Sequence, residues 1–253
     1  MASVVETAIR DTIAKGVTRI AEYNRAHATP TDEPHPYLTG IHTPMSEELT
    51  LDTLTVTGTI PPGLNGRYLR IGPNPVQMPN PARYHWFAGD GMVHGVRIEG
   101  GRADWYRNRW VRSTSVSRKL GEAPKPGPRL AEFAVNTNIV GHAGKFFALV
   151  EAGGTPVEMD GELGTLAHNA FEGTLKKAFS AHPHRDPVSG ELHAICYHAP
   201  DLTHVHHVVV GTDGRVRREA PIAVQHGPSI HDCALTRRFV LVFDLPVTFS
   251  MSA

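Results

Sequence analysis

Turn signals recur along this chain too closely for long helices, and that spacing narrows the possible folds more than any other feature. Beyond residue 26 no helical repeat of apolar positions returns, and short β-rich runs alternate with glycine- and proline-centred breaks. The runs expected to form strands are Leu54–Thr57, Tyr68–Ile71, Met92–Ile98, Trp105–Val111, Phe146–Glu151, His193–Tyr197, Val205–Val210, Arg215–Arg218 and Phe239–Phe243. Pro61-Pro62-Gly63, Gly89-Asp90-Gly91, Gly100-Gly101, Gly153-Gly154, Ser189-Gly190 and Asp213-Gly214 separate them. The turn at Thr212-Asp213-Gly214 joins two β-rich runs and reads as a hairpin. With 24 glycines and 20 prolines in 253 residues an all-helical bundle is excluded. Strands at this spacing, without intervening helices, give a sandwich, a barrel or a propeller: an all-β fold. Residues 114–130, with Pro124, Pro126 and Pro128, read as a mobile loop.

The N-terminus differs. Ser3 and Glu6 have the spacing of a capping box, and Val5, Ile9, Ile13, Val17 and Ile20 then fall on one helical face. Residues 1–29 are therefore read as an amphipathic helical segment, and residues 30–253 as the β-rich domain, entered through an aperiodic connector over 30–50. Arg10, Asp11, Lys15, Arg19 and Glu22 flank the apolar stripe with mixed sign. A helix packed on its own domain is preferred over a weak membrane-surface contact, because surface-binding helices are usually more basic. No stretch has the length and apolarity of a signal peptide or a membrane span, so the protein is expected to be cytoplasmic. Its 25 basic and 25 acidic side chains balance, which gives no electrostatic basis for a nucleic-acid partner. Two cysteines without a CxxC pair exclude a disulfide framework and a cysteine-built zinc site.

The sequence contains no G-x-S-x-G, no H-E-x-x-H and no phosphate-binding G-x-x-x-x-G-K. The segment from Gly89 to Gly95 has one residue too many for a dinucleotide fingerprint. Histidine is the unusual residue: ten of 16 lie between His168 and His231. His182, His184 and Asp186 have the H-x-H-x-D spacing of binuclear zinc hydrolases, although Pro187 follows where a second His is expected. His204 and His206 alternate as neighbours on one face of a strand would. His182 and His231 each stand just before a strand-like run and are 49 residues apart. A propeller blade takes about 40–50 residues, so these two histidines fit equivalent points on successive blades.

Further stretches resemble one family, the carotenoid cleavage oxygenases, which include apocarotenoid and stilbene dioxygenases. They are Pro62–Arg70 (PGLNGRYLR), Gly72–Pro75 (GPNP), His85–His94 (HWFAGDGMVH), Asn108–Arg112 (NRWVR) and Asn136–Asn138 (NTN). Ala148–Glu151 (ALVE), Ala181–Pro187 (AHPHRDP), Gly190–Ala194 (GELHA), His231-Asp232 and Asp244–Pro246 (DLP) continue the match.

The resemblance implies the first half of a seven-bladed β-propeller carrying one non-haem Fe(II) on its axis, held by four histidines. His182 matches the first ligand and His231 the second. Glu151 matches an outer carboxylate that hydrogen-bonds an iron-bound histidine, expected to be His231. The third and fourth ligands are expected beyond residue 253. The implied reaction adds O2 across a carbon–carbon double bond of an apolar polyene or stilbene and yields two carbonyl products. His94 and His142 match family positions that are not ligands, and His204, His206, His207 and His226 are expected at the surface or in loops. Asp90 is expected to stabilise its glycine-flanked turn. Two other readings stand beside this one: an inactive half-propeller or interaction module, and a zinc hydrolase built on His182, His184 and Asp186. No defined protein partner is implied.

Overall fold

A computed structural model describes residues 4–27, 33–130, 134–198, 201–225, 227 and 229–245. After helix α1 (Val4–His27) the chain builds three four-stranded sheets in succession. The first contains β1 (Thr50–Leu51), β2 (Gly66–Pro73), β3 (Gly91–Glu99) and β4 (Arg102–Trp110), in the order β1-β4-β3-β2. The second is β5 (Asn138–His142), β6 (Lys145–Leu149), β7 (Val157–Met159) and β8 (Thr165–His168) in chain order. The third is β9 (His184–Arg185), β10 (Leu192–His198), β11 (Asp201–Val210) and β12 (Val216–Ala223) in chain order, and a hairpin of β13 (Ala234–Leu235) and β14 (Val240–Leu241) follows. Every pairing is antiparallel. The expected all-β class holds.

Local chemistry explains the hairpins. Glu99 pairs with Arg102, so Gly100-Gly101 closes β3 onto β4 in two residues, and both glycines take positive φ (56° and 79°). Such a turn matches the twist of the strands it joins, and only residues that tolerate the left-handed region can make it. The expected hairpin at Thr212–Gly214 joins β11 to β12. Pro221 lies within β12, where it has no amide to donate, and β12 is the outermost strand of its sheet.

The sheets pack face to face in chain order. Between the first and second lie Val93, Trp105, Ala148, Val157, Met159 and Leu163. Between the second and third lie Phe147, Leu149, Phe171, Phe179, Cys196 and Val208. Ile195, Tyr197 and Val205 then meet Ile230, Cys233 and Val240 beside the final hairpin. Alternation along β6 sends Phe147 and Leu149 to one side and Ala148 to the other, as a strand buried on both faces requires. Each fully buried large side chain contributes about 1.5–3 kcal/mol to this stack.

Several expectations are corrected. Leu54–Thr57 forms no strand; the stretch is largely exposed and has no apolar face to bury. β5, β7 and β8 were not expected, since runs of three to five residues are too short to show alternation. Phe239–Phe243 contracts to Val240–Leu241. Residues 114–130 are not a free loop, because they open with helix α2 (Thr114–Lys119), whose start is capped by Ser113 Oγ accepting from the Val116 amide at 3.2 Å. The following turn is fastened to β8, where the His168 amide donates to the Pro126 carbonyl at 2.8 Å. Helix α1 forms as expected, but its apolar stripe is not packed: Ile9, Ile13, Val17 and Ile20 are 46–63% exposed. Periodicity establishes that a helix has an apolar face and says nothing of what covers it. Among the described residues no helix is long and apolar enough to cross a membrane.

Candidate metal centre

His182 stands two residues before β9, and His231 stands three residues before β13, at matching entrances to successive sheets. Their ring centroids are 6.2 Å apart. Both line a cavity of about 890 Å³ whose other walls include Phe87, Val135, Val150 and Ala152. Face-to-face stacking of consecutive sheets thus brings two histidines 49 residues apart to one point, as their spacing predicted.

Glu151 lies just beyond β6 and faces the same cavity. Its Oε1 accepts from the Ala181 amide at 2.9 Å and from Ser180 Oγ at 3.1 Å, and stands 3.5 Å from His182 Nε2. The carboxylate therefore neighbours His182, not His231 as expected. The reason is local, since Ala181 and Ser180 draw it onto the segment that carries His182. Burial pushes the Glu151 carboxyl up to about 7. Its Oε2 is buried without a hydrogen-bond partner. His231 Nε2 lies 3.1 Å from the Tyr197 hydroxyl and 3.4 Å from Ser229 Oγ. Burial, and then the nearby His182, lowers the pKa of His231, which favours a neutral imidazole with a lone pair to give. Two imidazoles with ring centroids 6.2 Å apart, and a carboxylate oxygen 3.5 Å from one of them, are a donor set that fits a first-row divalent ion.

The profile of the retinal pigment epithelial membrane protein family matches residues 42–253. The chain belongs to this family. A carotenoid cleavage oxygenase of Mycobacterium tuberculosis is 50% identical over 219 residues, which cover 85% of this chain and 44% of that protein. The carotenoid 9,10(9',10')-cleavage dioxygenase 1 of Phaseolus vulgaris is 34% identical over 248 residues, covering 85% of this chain and 45% of that one. Among solved structures, the lignostilbene dioxygenase of Pseudomonas brassicacearum superposes with a TM-score of 0.73 at 28% identity, over 85% of this chain and 48% of its own. A Synechocystis apocarotenoid oxygenase shares the fold at 22% identity and a TM-score of 0.64, over 78% of this chain and 46% of that one. The chain spans about half the length of the curated relatives it matches.

The Asn136-Thr137-Asn138 stretch has a structural purpose here. Asn138 Nδ2 donates to the Ala181 carbonyl at 2.7 Å, immediately before His182, so β5 anchors that histidine's backbone. Asn136 Nδ2 donates to the carbonyls of Phe87 (2.9 Å) and Gly89 (2.7 Å), fixing the loop that forms another wall of the cavity. Tyr197, which sequence reasoning missed, is the penultimate residue of β10 and lies on the face that carries Ile195. Strand alternation could have placed its hydroxyl beside a residue after the next turn.

The remaining candidates are placed elsewhere. His184 Nε2 contacts Asp232 Oδ1 at 2.5 Å on an exposed rim, and Asp186 Oδ1 closes its own turn onto the Val188 amide at 2.8 Å. Each of these two carboxylates and His184 is thus engaged outside any joint site with His182, and the geometry does not assemble the zinc triad. Asp232 and His184 do fall near Cys233, with ligand atoms within 4.8 Å, but Asp232 Oδ1 already accepts from His184 and from the Cys233 amide at 2.7 Å. His206 is buried, not at the surface, because it lies on an inward face of β11, where Lys177 Nζ reaches its Nε2 at 3.1 Å. His207 Nε2 meets His193 Nδ1 at 3.1 Å across the strands, and His204 Nδ1 meets Thr203 Oγ1 at 2.9 Å. His226 lies outside the described residues. His94 joins the Tyr106 hydroxyl at 2.8 Å and His142 joins the Gly211 carbonyl at 2.7 Å, both structural roles. Asp90 binds the Val76 amide at 2.9 Å and the Lys119 ammonium at 2.7 Å, tying distant segments as well as lying beside its turn.

Proposed function

We propose that residues 30–253 are the first half of a seven-bladed β-propeller whose complete ring is an Fe(II)-dependent dioxygenase. Its substrate is an apolar, conjugated molecule of the carotenoid, apocarotenoid or stilbene class, cleaved by O2 at a carbon–carbon double bond into two carbonyl products. The observation that carries this reading is the convergence of His182 and His231 in one largely apolar cavity, with Glu151 behind His182. The curated relatives named as carotenoid cleavage enzymes support the substrate class.

His182 and His231 would hold the iron as neutral imidazoles, with the remaining ligands supplied from outside this chain. Bound Fe(II) supplies O2 activation, which no protein side chain can provide. The chain's own residues do the rest. Glu151 orients the His182 ring and offsets positive charge at the site. Ser180 and the Ala181 amide hold Glu151 in place. Phe87, Val135, Val150 and Ala152 exclude water and receive the hydrocarbon. The neutral His231 presents a lone pair, with the Tyr197 hydroxyl beside it.

Anaerobic Fe(II) titration against a chromophoric chelator tests this directly. His182→Ala and His231→Ala should each weaken Fe(II) binding by at least about tenfold, whereas His184→Ala should leave it unchanged. Loss of metal in His184→Ala, with both other variants binding normally, would assign the metal to a different cluster.

A further inference from the structure

Two cationic side chains line the cavity that holds His182 and His231, and both come from the last turn of α2: Arg118 and Lys119. Lys119 is already committed. Its ammonium lies 2.8 and 2.7 Å from the two carboxylate oxygens of Asp90, itself almost fully buried. Arg118 is different: among the described residues its guanidinium has no hydrogen-bond or ion-pair partner, and the residue is exposed to the cavity and solvent. A guanidinium stays charged at any physiological pH and offers a planar fork that matches a carboxylate.

The substrate class gives that charge a use. A conjugated hydrocarbon presents a series of chemically similar double bonds. Apolar walls attract it without direction and cannot by themselves choose which bond stops beside the two histidines. A single charge-assisted contact at one end does choose, because it fixes how far the chain enters. We propose that Arg118 is a specificity-determining residue: it binds a carboxylate at the terminus of an apolar conjugated substrate and thereby sets the register of the double bond against His182 and His231. This rests on the reading of the cavity as an apolar substrate site.

The inference can be tested by binding alone, in the full chain, with all-trans-retinoic acid and its methyl ester as matched probes. Wild type should bind the acid about 10- to 100-fold more tightly than the ester, the usual worth of a charged hydrogen-bonded contact. Arg118→Gln should erase that preference by weakening the acid alone, and Arg118→Lys should restore part of it. The wild-type preference should also shrink as salt is raised. Because Arg118 is exposed at a helix end, the substitutions leave the core untouched. Equal binding of acid and ester by wild type, or equal weakening of both by Arg118→Gln, would overturn the role of Arg118 while leaving the cavity an apolar substrate site. Failure of both probes to bind would overturn the two together.

Discussion

Asn136→Ala should be among the most damaging changes outside the apolar core. The residue is buried, and its amide donates to the carbonyls of Phe87 and Gly89 at 2.9 and 2.7 Å. Alanine leaves both acceptors without their protein donor, the Gly89 carbonyl in a buried contact and the Phe87 carbonyl in a half-buried one at the cavity wall. The backbone beyond Gly89 also packs tightly on the segment that carries Asn136, where a Cβ on Gly91 would come within 1.7 Å of the Val135 carbonyl oxygen. Two lost hydrogen bonds at about 1 kcal/mol each, plus the cost of two stranded carbonyls, predict a loss of about 2–5 kcal/mol. That is a large part of an ordinary domain's total stability of about 5–15 kcal/mol. Thr137→Val is the control, since it removes only a 3.2 Å bond from the Thr137 hydroxyl to Asn136 Oδ1 and should cost about 1 kcal/mol or less. Asn136→Asp keeps the shape but turns acceptors toward acceptors, so it should be worse than alanine at neutral pH and recover as acid protonates the carboxyl. Urea unfolding followed by near-ultraviolet circular dichroism gives the comparison, with a lower midpoint and an unchanged slope. Asn136→Ala within about 0.5 kcal/mol of wild type would refute the claim that this side chain holds the cavity loop.

Gly91→Ala should prevent native folding, since its Cβ would collide with the backbone of Val135, and soluble yield on expression reads this out. Asn138→Ala should cost about 1–3 kcal/mol and weaken Fe(II) binding, because it frees the Ala181 carbonyl next to His182; unchanged binding would remove Asn138 from the support of the site. His207 should make stability rise with pH. Burial first, and then His193 and Arg218, depress its pKa from 6.5 to about 4, so the unfolded chain binds its proton more readily. Its stabilising contribution is complete above about 6.5 and is lost as pH falls toward 4, by an amount on the order of 1–2 kcal/mol. His207→Asn should flatten the thermal midpoint across that window, and an unchanged slope would assign the pH dependence to another group.

The fold was legible where local chemistry decides it. Gly100-Gly101 and Thr212–Gly214 mark their hairpins, and the runs around β3, β4, β10 and β11 are long enough to show themselves. β5, β7 and β8 escaped notice because each is too short for alternation, yet β5 carries Asn138, which anchors His182. The pair His182 and His231 was legible only as a 49-residue interval between similar entrances to β-units, and the sheet stacking supplies the meaning of that interval. Contacts between segments were not legible. Glu151 reaches His182 because the Ala181 amide pulls it there, and His206 is buried because β11 is covered on both faces. Helix α1 shows the same limit from the other side: its stripe was plain, and its exposure was not.

The central claim is that His182 and His231 together form this chain's share of an Fe(II) centre. Site-resolved NMR of the histidine rings during anaerobic Fe(II) addition tests it most directly, because paramagnetic broadening reports proximity even when binding is weak. The account predicts that the His182 and His231 resonances broaden first and together, that those of His184, His193 and His207 follow only at higher metal, and that His182→Ala abolishes the effect at His231. Broadening that begins at His184, or that reaches His231 unchanged in His182→Ala, would contradict it.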